Sequence, residues 1–228
     1  MVNGCEESKM NYNMTHESQG ERRKVAIVDL DGTLIDNNSL HLFILYLSQT
    51  LRRRRRFLTL ARLLGLLAMR RMGVISHVRM KHPVHLMAIS SLDDCDLDCV
   101  VSRLISHLRS PLIDRLKRLR TEGWVLVIAS AAPEIYVGKL CDELGFDACI
   151  ATPMSDSVAT YKEARGVRKR DLAIELAEKY GWEIALVATD HEDDLPLLSL
   201  PGIKRLLVNP TPALVNALDG FSLDYEAV

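Results

Sequence analysis

The residues best suited to chemistry begin with Asp29-Leu30-Asp31-Gly32-Thr33-Leu34, directly after the apolar run Val25–Val28. At a strand end, residues i and i+2 point to the same side, so Asp29 and Asp31 can face one substrate. Gly32 lets the chain turn sharply, and the amides beside it can hold phosphate oxygens. Far along the chain, Ser130 follows the apolar run Trp124–Ala129, and Asp190 closely follows Ile184–Ala188. Open parallel sheets bind their ligands beyond the carboxyl ends of the strands, where Asp29, Asp31 and Asp190 would converge. Like charges that close need a cation or a proton to be tolerated. An oxygen-only set, without His or Cys, points to a hard ion such as Mg²⁺. A carboxylate beside Mg²⁺ can attack phosphorus and form an aspartyl-phosphate. A second carboxyl group can protonate the leaving oxygen and then activate water.

Positioning these residues requires a parallel sheet. Short continuous apolar runs at 24–28, 124–129, 148–151, 184–188 and 205–208 read as strands buried on both faces. Helical patterns at 112–121, 134–144, 169–180 and 212–218 alternate with them, the last opening with Pro at its first position. The fold class expected is α/β: a doubly wound, Rossmann-like parallel sheet with an inserted all-helical cap domain. The cap is read at 37–110, as helices near 38–50, 52–72, 76–90 and 93–109, with Asp93, Asp94 and Asp96 favouring a helix start. The core is then 24–36 and 111–228, and 1–23 is a loose tail.

DLDGTL at 29–34, closing an apolar strand, resembles the first motif of the haloacid dehalogenase-like (HAD) superfamily. The later motifs recur in order: Ser130 at a strand end, GVRK at 166–169, and TDHEDDLPLL at 189–198. With a helical insertion after the first motif, the pattern is similar to the phosphoserine-phosphatase-like branch, over about residues 24–212. The resemblance implies that Asp29 is the nucleophile and a Mg²⁺ ligand. It implies that Asp31 is the general acid/base with its backbone carbonyl on the metal, and that Asp190 is the third protein ligand. Ser130, with Ala131 beside it, would bind the transferring phosphoryl group, Gly32 and Thr33 would shape the phosphate loop, and Asp194 would support the metal. Lys169 would neutralise charge near Asp29; Lys162, Arg168 and Arg170 share its stretch, but Lys169 has the branch's spacing from Gly166. One departure stands out. Thr189-Asp190-His191 occupies a place where the branch usually has Gly-Asp and then a small residue, and His191 would narrow the site or touch substrate.

The function expected is a Mg²⁺-dependent phosphatase acting on a small phosphorylated metabolite, phosphoserine-like by default. A lipid-phosphate phosphatase at a membrane surface, a phosphotransferase, and a non-catalytic phosphate- or membrane-binding protein are the alternatives. The formal charge of −1 conceals a division. Residues 37–110 hold 12 Lys and Arg against 4 Asp and Glu, a net +8, while the rest hold 17 against 26, a net −9. The run Arg52–Arg56, flanked by Leu40–Leu47 and Phe57–Met69, suggests peripheral contact with anionic phospholipid or an anionic substrate. Nucleic acid is a weak candidate, because Phe57 is the only ring adjacent to the arginines. No apolar stretch approaches the ~20 residues of a membrane span. The first 23 residues lack the apolar core of a signal peptide. Cys95 and Cys99 lie one helical turn apart, without two further ligands for zinc, and read as half-buried helix thiols. Reduced thiols fit a cytoplasmic location, and the arginine run adds the expectation of peripheral attachment at the inner membrane face. His77, His82 and His85 read as surface or cap-packing residues, and no periodicity sets an oligomeric state.

Overall fold

A computed structural model describes residues 22–228. Most of the expected tail, with Cys5, therefore lies outside the described residues. Six parallel strands form one sheet: β1 (Lys24–Val28), β2 (Val125–Pro133), β3 (Ala148–Thr152), β4 (Glu183–Thr189), β5 (Lys204–Leu207) and β6 (Glu226–Ala227). Their spatial order is β3-β2-β1-β4-β5-β6. The sequence reading lacked β6, a two-residue edge strand with no apolar run to mark it.

Strand β1 explains the architecture. Its side chains alternate between two apolar clusters, Ala26 and Val28 on one face of the sheet, Val25 and Ile27 on the other. Both faces are covered, which is why the run is continuously apolar instead of alternating. Val28 lies in register with Ile128 of β2 and Ala188 of β4. The segments leaving those three strands therefore emerge side by side. The chain builds outward from β1 through β2 to β3, then returns to place β4 on the other side of β1. That reversal opens the crevice at the carboxyl ends of the central strands.

Between β1 and β2 the chain is helical: α1 (Ser39–Arg53), α2 (Phe57–Arg71), α3 (His77–Ile89), α4 (Asp94–Ile105) and α5 (Ser110–Thr121). Asp93 caps α4 reciprocally, accepting from the Asp96 amide while the Asp96 carboxylate accepts from the Asp93 amide. The segments entering and leaving α1–α4 are tied together where Asp36 N–H donates to the His107 carbonyl and Arg109 N–H to the Leu34 carbonyl. Phe43 and Leu47 of α1, Leu63 of α2 and Met80 of α3 join the same apolar cluster as Ala26 and Val28. The remaining helices are α6 (Glu134–Glu143), α7 (Val167–Tyr180), α8 (Leu195–Leu198) and α9 (Pro212–Gly220).

The arginine run lies across a helix break. Helix α1 continues through Arg53, Arg55 turns into the left-handed region (φ 56°), and α2 starts at Phe57. The sequence placed that break three residues too early, because arginine is a good helix former and gives no stop signal. Two of the arginines are turned onto the α3–α4 connection. Arg54 pairs with Asp93 at 2.7 Å and Asp96 at 2.8 Å, and Arg56 donates to the Ser90 carbonyl at 2.8 Å. Cys95 and Cys99 are exposed on α4, not half-buried.

Candidate active site

At the carboxyl end of β1 the Asp29 amide donates to the Ala188 carbonyl of β4, which fixes the backbone of the first aspartate. The chain then turns, with Leu34 N–H returning to the Asp29 carbonyl. Gly32 makes that turn possible at φ 81°, and a Cβ built there would overlap the Asp190 carboxylate. Two requirements thus fall on one residue, a left-handed backbone and no side chain.

A cavity of about 540 Å³ opens above this turn. Asp29, Asp31, Gly32, Ser130, Ala131, Lys169, Asp190 and Asp194 all line it. Of the residues singled out in the sequence, only Thr33 is absent from that wall. It is fully buried and reaches the site indirectly, donating its hydroxyl to Asp190 Oδ1 at 3.1 Å.

Lys169, on the first turn of α7, is 4% exposed and joins two carboxylates. Its Nζ lies 2.7 Å from Asp29 Oδ1 and 2.7 Å from Asp194 Oδ1. Burial acts to lower the lysine's pKa, but Asp29 and Asp194 reverse this and hold it above the ordinary lysine value. For Asp29 the balance goes the other way. Burial, opposed by Lys169 and reinforced by Asp194 and Asp31, pushes it up to about 8. Asp31 is also raised by burial, against the bonds it accepts from Ser39. Ser39 opens α1, and its amide donates to Asp31 Oδ1 at 2.5 Å, so the carboxylate sits at a helix N-terminus. Burial likewise raises Asp190, with the Thr33 hydroxyl opposing it.

Each of the three aspartates commits its Oδ1: Asp29 to Lys169, Asp31 to the Ser39 amide, and Asp190 to Thr33. In this arrangement, no group of three or more His, Cys, Asp or Glu among the described residues forms a closed metal-ligand set. What the carboxylates share is a cavity, a raised pKa, and a second oxygen not used in those bonds.

Ser130 is 1% exposed, and its hydroxyl oxygen accepts from the Ala132 amide at 3.1 Å, leaving its proton for another acceptor. The Ala131 carbonyl is held by the Thr152 hydroxyl at 2.8 Å and by Lys81 Nζ at 3.2 Å. The unusual Thr189-Asp190-His191 has a local explanation. Thr189 is fully buried, and its hydroxyl donates to Asp194 Oδ2 at 2.8 Å, fixing the carboxylate that also faces Lys169. The His191 ring lines the cavity, while its Nδ1 accepts from the Asp193 amide at 3.2 Å.

The sequence reading missed the opposite wall. Asn37 and Asn38 at the start of the helical segment, His77 and Lys81 of α3, and Arg165 before α7 also face the cavity. Lys81 is 5% exposed and ion-paired with Glu163. The four-residue spacing of His77 and Lys81 puts them on one face of α3, but nothing in that spacing says the face turns toward the cavity. Of the histidines, His82 and His85 are buried and pack against Tyr161, so only the cap-packing reading suits them.

Against known proteins, residues 26–199 match the family model described as haloacid dehalogenase-like hydrolase. No curated protein sequence matches the chain significantly. Among solved structures, a Bordetella pertussis Tohama I protein of unknown function superposes with a TM-score of 0.69 at 16% identity, covering 90% of this chain and 98% of that one. A probable phosphoserine phosphatase from Vibrio cholerae gives 0.59 at 17% identity, covering 86% of this chain and 58% of that one. A phosphoserine phosphatase with a phospho-aspartyl intermediate analogue gives 0.55 at 16% identity, covering 91% and 94%. The family match spans the DLDGTL and TDHEDD motifs. The chain belongs to the haloacid dehalogenase-like hydrolases, with the fold of the phosphoserine-phosphatase-like branch.

Proposed function

We propose that the protein is a Mg²⁺-dependent phosphatase, cleaving a small polar phosphate monoester through an aspartyl-phosphate on Asp29. The observation that carries this reading is the buried Asp29–Lys169–Asp194 pairing at the end of β1, in a cavity also lined by Asp31 and Ser130. An Asp29 oxygen attacks phosphorus as the bond to the leaving oxygen breaks, and protonated Asp31 gives that oxygen its proton. Asp31, now a carboxylate, takes a proton from water. The water oxygen attacks phosphorus, the bond to Asp29 breaks, and inorganic phosphate leaves. A raised pKa suits Asp31 to the acid half of this cycle. Lys169 and the Ser130 hydroxyl offset the charge developing on the phosphoryl oxygens.

The donor set suits Mg²⁺: three half-buried carboxyl groups, all oxygen, facing one cavity and each with a pKa raised by burial. Asp29, Asp31 and Asp190 would hold the ion, with Asp194 behind them. When bound, Mg²⁺ supplies charge stabilisation to the phosphoryl oxygens and lowers the mutual repulsion of the carboxylates.

The reading of a small polar substrate rests on the cavity wall. The helical segment 37–110, read as the cap, contributes Asn37, Asn38, His77 and Lys81, and no large apolar side chain among the described residues lines the space. An acyl chain would find no apolar wall there, and the arginine run contributes nothing to it. The test is hydrolysis of an aryl phosphate with and without Mg²⁺. Asp29→Asn abolishes turnover while the chain keeps its native circular dichroism and unfolds cooperatively; full activity in that variant refutes the mechanism.

A further inference from the structure

Helix α2 has an outer face that no solvent-exposed helix of a monomeric protein needs. Of its fifteen residues only Leu63 is buried. At 100° per residue, Phe57, Ala61, Leu64, Ala68 and Met72 run down the middle of the exposed side, with Leu58 and Gly65 beside them. No polar side chain interrupts this stripe. Leu58 is 90% exposed, Met72 69% and Phe57 60%. A groove of about 470 Å³ adjoins it, its apolar wall made by Leu58, Pro83, Leu86 and Met87 and its polar edge by Thr59, Arg62 and Ser90. An exposed apolar stripe of this kind with polar residues at its edges marks a surface that meets a partner.

The charges around the stripe indicate its partner. Arg62 and Arg71 project from its two sides by the same helical geometry, both exposed. Arg52 and Arg55, exposed at the α1–α2 break, make no ion pair among the described residues. From Asn37 to Leu92 there are ten Lys and Arg and no Asp or Glu. A two-fold contact between copies would set this arginine rim against itself. An anionic bilayer satisfies both features, taking the apolar stripe into its interface and the arginines onto its headgroups.

We propose that the outer face of α2 docks peripherally on anionic lipid. The docking element is the apolar stripe with its Arg62 and Arg71 rim, not the arginine run as a unit, since Arg54 and Arg56 are turned inward onto residues 90–96. The inference does not rest on the catalytic reading, because the polar cavity takes no part in it.

Vesicle co-sedimentation of the full chain tests it. The probes are vesicles of phosphatidylcholine alone and of equal parts phosphatidylcholine and phosphatidylglycerol. Binding to the anionic vesicles is at least ~10-fold stronger and weakens as salt is raised. Arg62→Gln/Arg71→Gln lowers it about 25-fold, roughly fivefold per arginine. Leu58→Glu/Leu64→Glu, both at exposed positions, lowers it by at least ~10-fold while retaining the melting temperature. Lys117→Gln, an exposed lysine on α5, changes it less than about twofold. Equal binding to both vesicle types, or unchanged binding by Leu58→Glu/Leu64→Glu, overturns the proposal. So does a dimer dissociated by Leu58→Glu/Leu64→Glu in a protein that binds no vesicles, since the face then belongs to a second copy.

Discussion

Replacing Lys169 with methionine removes the one cation among the described residues that lies directly on Asp29 and Asp194. The lysine is 4% exposed and sits 2.7 Å from an oxygen of each carboxylate. Methionine keeps most of the volume, so the loss is electrostatic and not a cavity. Removing one partner of a buried ion pair costs about 3–5 kcal/mol, because the group left behind is neither solvated nor paired. For a chain of this size each kcal/mol moves the melting temperature by about 2–4 °C, giving a fall of about 6–20 °C. Differential scanning fluorimetry in metal-free buffer reads this. The triple variant Lys169→Met/Asp29→Asn/Asp194→Asn separates charge from packing, since replacing a whole buried ionic set with neutral groups is often close to neutral. It recovers at least half of the lost stability. A fall of less than about 2 °C for Lys169→Met, or a triple variant no more stable than the single one, refutes the electrostatic account of this cluster. Activity follows separately: loss of one charge-stabilising donor lowers kcat about 10²–10³-fold.

Gly32→Ala combines a strained positive φ with a Cβ that overlaps the Asp190 carboxylate, so it loses aryl-phosphatase activity more than 10²-fold, roughly the cost of an active-site misplacement. Activity close to wild type would show that the turn relaxes freely. His85 gives a pH dependence. Buried on α3 near His82 and Lys81, it is pushed down to about 4. Between its unfolded value of 6.5 and about 4, the unfolded chain binds a proton that the folded chain refuses. Stability from the neutral ring is therefore complete above pH 6.5 and lost as pH falls through that window, about 3 kcal/mol in all. Relative to wild type, His85→Leu gains stability as the pH is lowered from 7 to 4 in urea titrations; a constant difference contradicts the assignment.

How far the sequence could be read follows from what each feature depends on. Asp29, Asp31 and Asp190 were legible because strand ends are marked by local apolar runs, and a parallel sheet aligns those ends whatever lies between. Lys169 was legible only through its spacing from Gly166, since four basic residues share that stretch. Lys81 and His77 were not legible, because their place at the site depends on how α3 packs against the end of β2 at Ala131 and the segment bearing Glu163, a tertiary relation. The arginine run was conspicuous as composition, yet the direction of its side chains was hidden. Arg54 reaches Asp93 and Arg56 reaches Ser90 only because the helix breaks at Arg55. Read as one basic patch, the run hid the more unusual surface beside it, the apolar outer face of α2. Thr189 looked like a defect in a motif, but its hydroxyl holds Asp194.

The central claim is that phosphorus passes through Asp29. Acid quenching during turnover of an aryl phosphate with Mg²⁺, followed by peptide mass spectrometry, tests it most directly. The account predicts one added phosphoryl group on the peptide carrying Asp29, labile to hydroxylamine and absent in Asp29→Asn. A phosphoryl group found on another residue, or undiminished turnover by Asp29→Asn, contradicts it.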